Sequence, residues 1–397
     1  MIRTGLMLSL LFAGSNANAE RVEPWPLPAS APSAQPNLVA TRDALYLSWI
    51  ERDAEGEHVL RYARDPGTGF EAPRRIAAGR DWFVNWADFP ALTALPDGSL
   101  AAHFLRKSAA APYAYDVQLT RSRDGRTWSS PVTVHDDATT TEHGFVSLWP
   151  WSERAVAVAW LDGRHTGGGG HDAHAGTMTL RAAVYGARGG KQQEWELDAS
   201  TCDCCQTDVA LAAQGPVLVY RDRAEGEIRD IAITRWRNDA WTAPIAVHAD
   251  RWQMPACPVN GPAVAAEGND VYVAWYTAAD GEPELRLARS SDDGASFAAP
   301  LSLARGSEVQ GRVDLVLDPT WVYVTWLSED AQRQTLWLER HARDLRGTPQ
   351  RVEVATLARG RGTGFPRLAL HDGIAHLVWT DIEQRQPRLR GARLHFD

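Results

Sequence analysis

The chain has 397 residues, a formal charge of −9 and no basic run, which argues against nucleic acid and against an anionic membrane surface as partners. Its composition is otherwise ordinarily globular, apart from 17 tryptophans, and it is long enough to bury a large core.

The first twenty residues, MIRTGLMLSLLFAGSNANAE, place one cation, Arg3, ahead of an apolar run from Leu6 to Ala13, and small residues ending in Ala17-Asn18-Ala19 follow. That is the layout of a secretory signal peptide cleaved after Ala19. The run is too short to span a bilayer, and no later segment is long and apolar enough for a membrane span. No cysteine follows it to carry a lipid. The expectation is a signal peptide over 1–19 and a single domain over 20–397, exported and either periplasmic or secreted.

Beyond the leader one pattern recurs. Alternating apolar runs end in Trp49 (LYLSW), Phe104 (LAAHF), Trp160 (VAVAW), Tyr220 (VLVY), Trp275 (VYVAW), Trp326 (VYVTW) and Trp379 (HLVW), at spacings of 51 to 60 residues. Self-similarity at a fixed period marks a repeat architecture. Each unit reads as four short strands; in the fifth they are PAVAAE, VYVAW, LRLARS and LSLA, separated by turn-forming residues. This predicts an all-β, seven-bladed β-propeller of four-stranded antiparallel blades. The last unit, from Phe365 to Asp397, holds only three strands, so a strand near Arg21–Leu27 is expected to complete it and close the ring.

The turns between third and fourth strands add a second signal. Ser290 to Phe297 (SSDDGASF) fits the pattern S-x-D-x-G-x-[ST]-[WF], and SRDGRTW (Ser122–Trp128) is one residue short of it. DPGTGF (Asp65–Phe70) and RNDAW (Arg237–Trp241) read as eroded copies. On these turns the chain resembles the Asp-box, or BNR, propellers of the sialidase superfamily. The resemblance implies a sialidase-like propeller, with the six blades of catalytic sialidases as the alternative to seven. It also implies a glycan site built from an arginine triad, a tyrosine nucleophile aided by a glutamate, and an aspartate acid/base. The family's first arginine lies in an Arg-Ile-Pro stretch, whereas the start of this domain reads EPWPLPASAPSAQPNLV. No catalytic set is therefore carried over; Arg221, Asp222, Arg223, Arg312 and Tyr276 are catalytic candidates by residue type alone.

Propeller topology orders the loops. Strands alternate in direction, so the link into each blade and the loop between its second and third strands share one face, here called the top. The link into blade two carries Trp82, Asn85, Trp86 and Asp88, that into blade three Glu142 and His143, that into blade six Gln310 and Arg312, and that into blade seven Arg361. Asp162 and Arg164 belong to blade three, and Arg221, Asp222 and Arg223 to blade four. Trp, Arg and Asp around a channel mouth suit a polar ligand. TCDCCQT, with Cys202, Cys204 and Cys205, leads into blade four, and QMPACPVNG, with Cys257, into blade five. The glycine-rich loop HTGGGGHDAHAG adds His165, His171 and His174 to the same sector. Three readings stand for the cluster, a thiol redox centre being one of them. A disulfide from Cys257 to Cys204 or Cys205 suits an exported chain, and thiolate with imidazole suits copper or zinc.

The expected function is a top face that binds a small polar ligand, a glycan or a metal ion without glycosidase chemistry. The alternatives are an exo-acting glycoside hydrolase with displaced catalytic residues, and a scaffold docking another envelope protein.

Overall fold

The computed structural model describes residues 21–167 and 176–396; the leader, His171 and His174 lie outside the described residues. Seven antiparallel sheets form the predicted seven-bladed propeller. Their first strands are Ser33–Ala40, Leu92–Ala94, His143–Pro150, Asp208–Ala212, Ala263–Glu267, Val309–Leu317 and Arg367–His371. Six sheets hold four strands; in blade four the outer strand is broken into Ala240–Trp241 and Ile245–Ala246. Among the described residues there is no α-helix, only the 3-10 turn Arg361–Thr363. No helix among them is long and apolar enough to cross a membrane.

The recurring aromatic explains the ring. The residues Trp49, Phe104, Trp160, Tyr220, Trp275, Trp326 and Trp379 fall one each into seven separate buried apolar clusters. Each cluster fills a seam between neighbouring blades, so the sequence period is the period of the core. A large flat ring suits the thin space between two sheets, and an indole then needs a partner for its N–H. Trp49, Trp160 and Trp275 donate to Glu51, Asp162 and Asp250 at 2.8, 2.7 and 2.8 Å.

The ring closes through the N-terminus. Arg21–Pro24 pairs antiparallel with the last strand, from Arg21 opposite His395 to Pro24 opposite Ala392, and becomes the fourth strand of blade seven. Trp25 continues the pairing through its amide to Gly391 O at 2.8 Å, then turns its ring into the seam between blades seven and one.

Around the channel, side-chain acceptors take amides of the next blade. Asn37 accepts from Leu92 N (3.0 Å), Asp88 from Phe145 N (2.9 Å), Asp208 from Val264 N (2.8 Å), Asn260 from Arg312 N (2.8 Å) and Asp314 from Leu368 N (2.8 Å). These amides face the channel without a strand partner, and the side chains supply one. The first strands of blades one, three and six carry bulges, with Gln35, Phe145 and Arg312 at φ of 59°, 54° and 56°. A bulge re-aims a side chain, and two of these three, Phe145 and Arg312, are aimed into the top-face cavity.

On the opposite face, three hairpin turns are organised by an aspartate. Asp292 accepts from Ser296 N (2.9 Å) and Ser296 Oγ (2.6 Å), Asp124 from the Arg126 and Thr127 amides (both 2.8 Å), and Asp65 from the Gly67 and Gly69 amides (both 2.9 Å). The Thr127 and Arg126 amides hold the Asp124 carboxyl down at about 2. Gly294, at φ 77°, takes the turn where a Cβ would lie 2.9 Å from Ile233.

Candidate functional site

The links placed on the top face meet around a cavity of about 490 Å³ at the channel mouth. Blade two contributes Asn85, Trp86, Asp88, Tyr113 and Tyr115, and blade three Glu142 and Phe145. Blades four and five contribute Cys204, Cys257 and Asn260, blade six Gln310 and Arg312, and blade seven Arg361.

One wall is acidic. The Tyr115 hydroxyl stands 2.8 Å from Asp88 Oδ2 and 2.8 Å from Glu142 Oε1, and all three side chains are buried. A phenol has one proton to donate. Both contacts are hydrogen bonds only if one carboxyl is itself protonated and donates to the phenol oxygen. Burial pushes the same way, raising Asp88 to about 7 and Glu142 to about 8, while Tyr115 is pushed well up by burial and by the two carboxylates. Strand geometry builds this arrangement: Tyr115 starts the third strand of blade two, and Glu142 immediately precedes the first strand of blade three.

A pH dependence of stability follows. Asp88 and Glu142 hold their protons to higher pH in the folded chain than at their ordinary values of 3.8 and 4.5. The stability they contribute is full below about 4 and is lost as pH rises through 7 to 8. Thermal melts are expected to fall from pH 5 to pH 8.5. In the Asp88→Asn/Glu142→Gln double variant that slope is expected to flatten; an unchanged slope contradicts the assignment.

The other wall is basic and aromatic. Arg312 is buried, with its guanidinium 4.9 Å from the Trp86 ring centroid and 6.0 Å from that of Phe365. Its Nη1 donates to Thr363 Oγ1 and Gly364 O, both at 3.0 Å. Among the described residues no carboxylate lies within ion-pair distance of it, and burial lowers it to about 10. A buried, planar cation without an anion, opening on a cavity, is poised for one.

Two cysteines join the rim. Cys204 and Cys257 form a disulfide with Cα atoms 6.0 Å apart, so of the two pairings left open the structure takes Cys204. The backbones beneath are in contact: a Cβ on Gly261 would stand 2.1 Å from Gln206 O. Cys202 and Cys205 are buried thiols with sulfurs 3.2 Å apart.

Of the residues proposed from sequence, Asn85, Trp86, Asp88, Glu142, Gln310, Arg312, Arg361, Cys204 and Cys257 line the cavity. Others are engaged elsewhere. Trp82 is a core residue, stacked on Phe104 at 4.5 Å. Asp162 is buried and holds Trp160 and Arg164, so neither Asp162 nor Arg164 reaches the cavity. Arg221, 1 % exposed, spends its donors on the carbonyls of Asn260, Arg229 and Tyr276. Arg223 pairs with Glu227 and Asp203, and half-buried Asp222, raised to about 6 by burial and Asp198, accepts its amide. Tyr276 packs edge-on against Trp252. Exposed His165 stands beside the loop that lies outside the described residues. Tyr115 and Asn260 went unnoticed in the sequence, because a tyrosine at a strand start reads as core.

Of the residues proposed for copper or zinc, the sulfurs of Cys202, Cys204 and Cys205 converge within 4.8 Å of one another, while His171 and His174 lie outside the described residues. Disulfide bonding removes Cys204 and Cys257 as thiolates. Asp116, His135 and His143 cluster nearby, as do Asp137, His143 and Asp162. The rings of His135 and His143 lie parallel, 2° apart in plane and 3.5 Å between centroids. An ion about 2.0–2.1 Å from one ring nitrogen and in its plane stands well out of the plane of the other. Asp162 is already engaged by Arg164 and Trp160 through both oxygens.

Comparison with protein families and with curated proteins returned no match. Solved structures do match in fold. Polysaccharide lyase Uly1 superposes with a TM-score of 0.53 at 8% identity, over 90% of this chain and 89% of that one. A protein of unknown function from Dyadobacter fermentans DSM 18053 gives 0.50 at 12% identity, over 78% and 94%. A variant of the NanB sialidase from Streptococcus pneumoniae gives 0.49 at 8% identity, over 95% and 94%. At these identities the likeness is one of fold alone, and the chain's own seven sheets make it a seven-bladed propeller.

Proposed function

We propose that the protein is a carbohydrate-active propeller that takes an anionic saccharide into its top-face cavity. The observation that carries this reading is Arg312, a buried guanidinium with no carboxylate partner among the described residues, facing a cavity beside Trp86. Guanidinium binds carboxylate or sulfate as a fork, and an indole face suits the C–H side of a sugar ring. Asn85, Asn260 and Gln310 add polar groups for hydroxyls. The likeness in fold to polysaccharide lyase Uly1 agrees with a saccharide ligand. The aspartate-built turns support placing the chain beside the Asp-box propellers, and the disulfide suits export to an oxidising compartment.

Calorimetry tests the reading. Oligosaccharides ending in glucuronate, galacturonate or sialate are expected to bind at least tenfold tighter than their neutral counterparts, with affinity falling as salt rises. Equal affinity for charged and neutral sugars, or none for either, contradicts it.

A second reading, turnover of that saccharide, is favoured by the Asp88–Tyr115–Glu142 group. A proton shared among buried oxygens at values near neutrality is suited to general acid and base work. On this reading Tyr115→Phe lowers kcat by roughly 10²–10⁴-fold while the saccharide still binds. Activity that needs the protonated carboxyl falls above about pH 8. Binding with no cleavage product, followed by mass spectrometry over days, leaves the site as a receptor and rejects the turnover reading.

A further inference from the structure

The cavity reading leaves two buried thiols unexplained. Cys202 and Cys205 touch at 3.2 Å, and the sulfurs of Cys202, Cys204 and Cys205 all lie within 4.8 Å of one another. Cys204 is half of the disulfide on the cavity wall. Two guanidiniums influence the thiols. Arg221 is fixed by backbone carbonyls, and Arg229 donates through Nη2 to Glu227 at 2.6 Å. Arg229 Nε and Nη1 are buried without a hydrogen-bond partner among the described residues. Buried cations beside a thiol favour its thiolate. Against its burial, the Cys205 thiol, Arg229 and Arg221 bring Cys202 down to about 7, whereas burial and Cys202 push Cys205 well up. The Cys202 sulfur, 3.2 Å from Cys205 and within 4.8 Å of Cys204, is placed to attack the disulfide and then to be attacked by its neighbour.

We propose that Cys202 and Cys205 are a buried dithiol that exchanges with the Cys204–Cys257 disulfide, so that the four sulfurs relay oxidising equivalents between the cavity and the interior. In the first step the Cys202 thiolate attacks Cys204 Sγ. A Cys202–Cys204 bond forms, the Cys204–Cys257 bond breaks, and the electron pair leaves on Cys257 at the cavity wall. In the second step Cys205 gives its proton to the Cys257 thiolate released in the first and attacks Cys202. A Cys202–Cys205 bond forms and Cys204 leaves as thiolate. One disulfide and two thiols are present before and after, so no external electron acceptor is needed. A small disulfide entering the cavity then closes Cys204–Cys257 again, the two protein thiols being oxidised and the small disulfide reduced to two thiols. The end state carries both bonds. The route also answers how a fully buried pair meets an oxidant: the disulfide on the cavity wall stands between them.

The test uses the folded, full-length protein. Without oxidant, N-ethylmaleimide is expected to label Cys257 progressively, because each exchange exposes it as a thiolate; peptide mass spectrometry reads the site. In Cys202→Ser, which leaves the disulfide in place, labelling of Cys257 is expected to slow at least tenfold, with the thermal melt confirming the fold. Separately, oxidised glutathione is expected to lower the thiols counted after denaturation from two to none. Labelling of Cys257 at the same rate with and without Cys202 overturns the relay. So does an intact protein in which Cys257 never labels and both thiols survive oxidised glutathione. Neither result bears on saccharide binding, so the two proposals fail separately.

Discussion

Removing residues 21–27 is expected to open the ring and abolish its single cooperative unfolding transition. Without Arg21–Pro24 the last strand of blade seven presents an unpaired edge, which invites pairing between molecules. The deletion also takes away Trp25, 3 % exposed, whose ring stacks on Phe70 at 4.8 Å and meets His376 edge-on at 4.7 Å. Phe70 belongs to blade one and His376 to blade seven, so this indole joins the first and last units of the ring. Emptying a buried aromatic site costs about 3–5 kcal/mol, against a total of roughly 5–15 kcal/mol for a typical domain. Trp25→Ala alone is therefore expected to lower stability by about 3–5 kcal/mol in urea titration. The deletion is expected to be worse, with aggregation visible by light scattering. A truncated chain that melts within a degree or two of the full one would show that closure lies elsewhere.

The second large effect concerns Arg312. Arg312→Gln is expected to weaken binding of an anionic saccharide by about 2–5 kcal/mol, from about thirtyfold to a few thousandfold in Kd, because it removes one partner of a desolvated charge pair. Arg312→Lys keeps the charge but loses the fork and the flat stacking surface over Trp86, so an intermediate loss is expected. Arg312 also donates to Thr363 and Gly364, so each variant needs its own melt. Without its buried cation the Gln variant is expected to bind neutral sugars unchanged. Equal losses for charged and neutral sugars would mean that Arg312 only shapes the cavity.

The fold was legible because the same feature that repeats in the sequence fills the seams of the ring. Seven aromatic strand ends became seven interblade clusters, and the incomplete last unit pointed to the N-terminal strand. The site was legible as a place but not as a set of roles. Alternating strand direction put Asp88, Arg312, Cys204 and Cys257 on one face, and they do line one cavity. It does not say which way a loop side chain turns. Trp82 and Trp86 are four residues apart in one link, yet the first packs into the core on Phe104 and the second faces Arg312. Arg221 and Arg312 read alike as top-face arginines. Backbone carbonyls capture the first, and a bulge aims the second into the cavity. Tyr115 was missed for a related reason: its ring is core and only its oxygen belongs to the site.

The most direct measurement is a crystal structure of the protein with a uronate disaccharide. The account predicts the saccharide in the top-face cavity, its carboxylate forked on Arg312, a ring face against Trp86, and a hydroxyl or glycosidic oxygen within hydrogen-bond reach of the Asp88–Tyr115–Glu142 group. A saccharide bound at another surface with the cavity holding only water, or one in the cavity with its carboxylate turned away from Arg312, would contradict it.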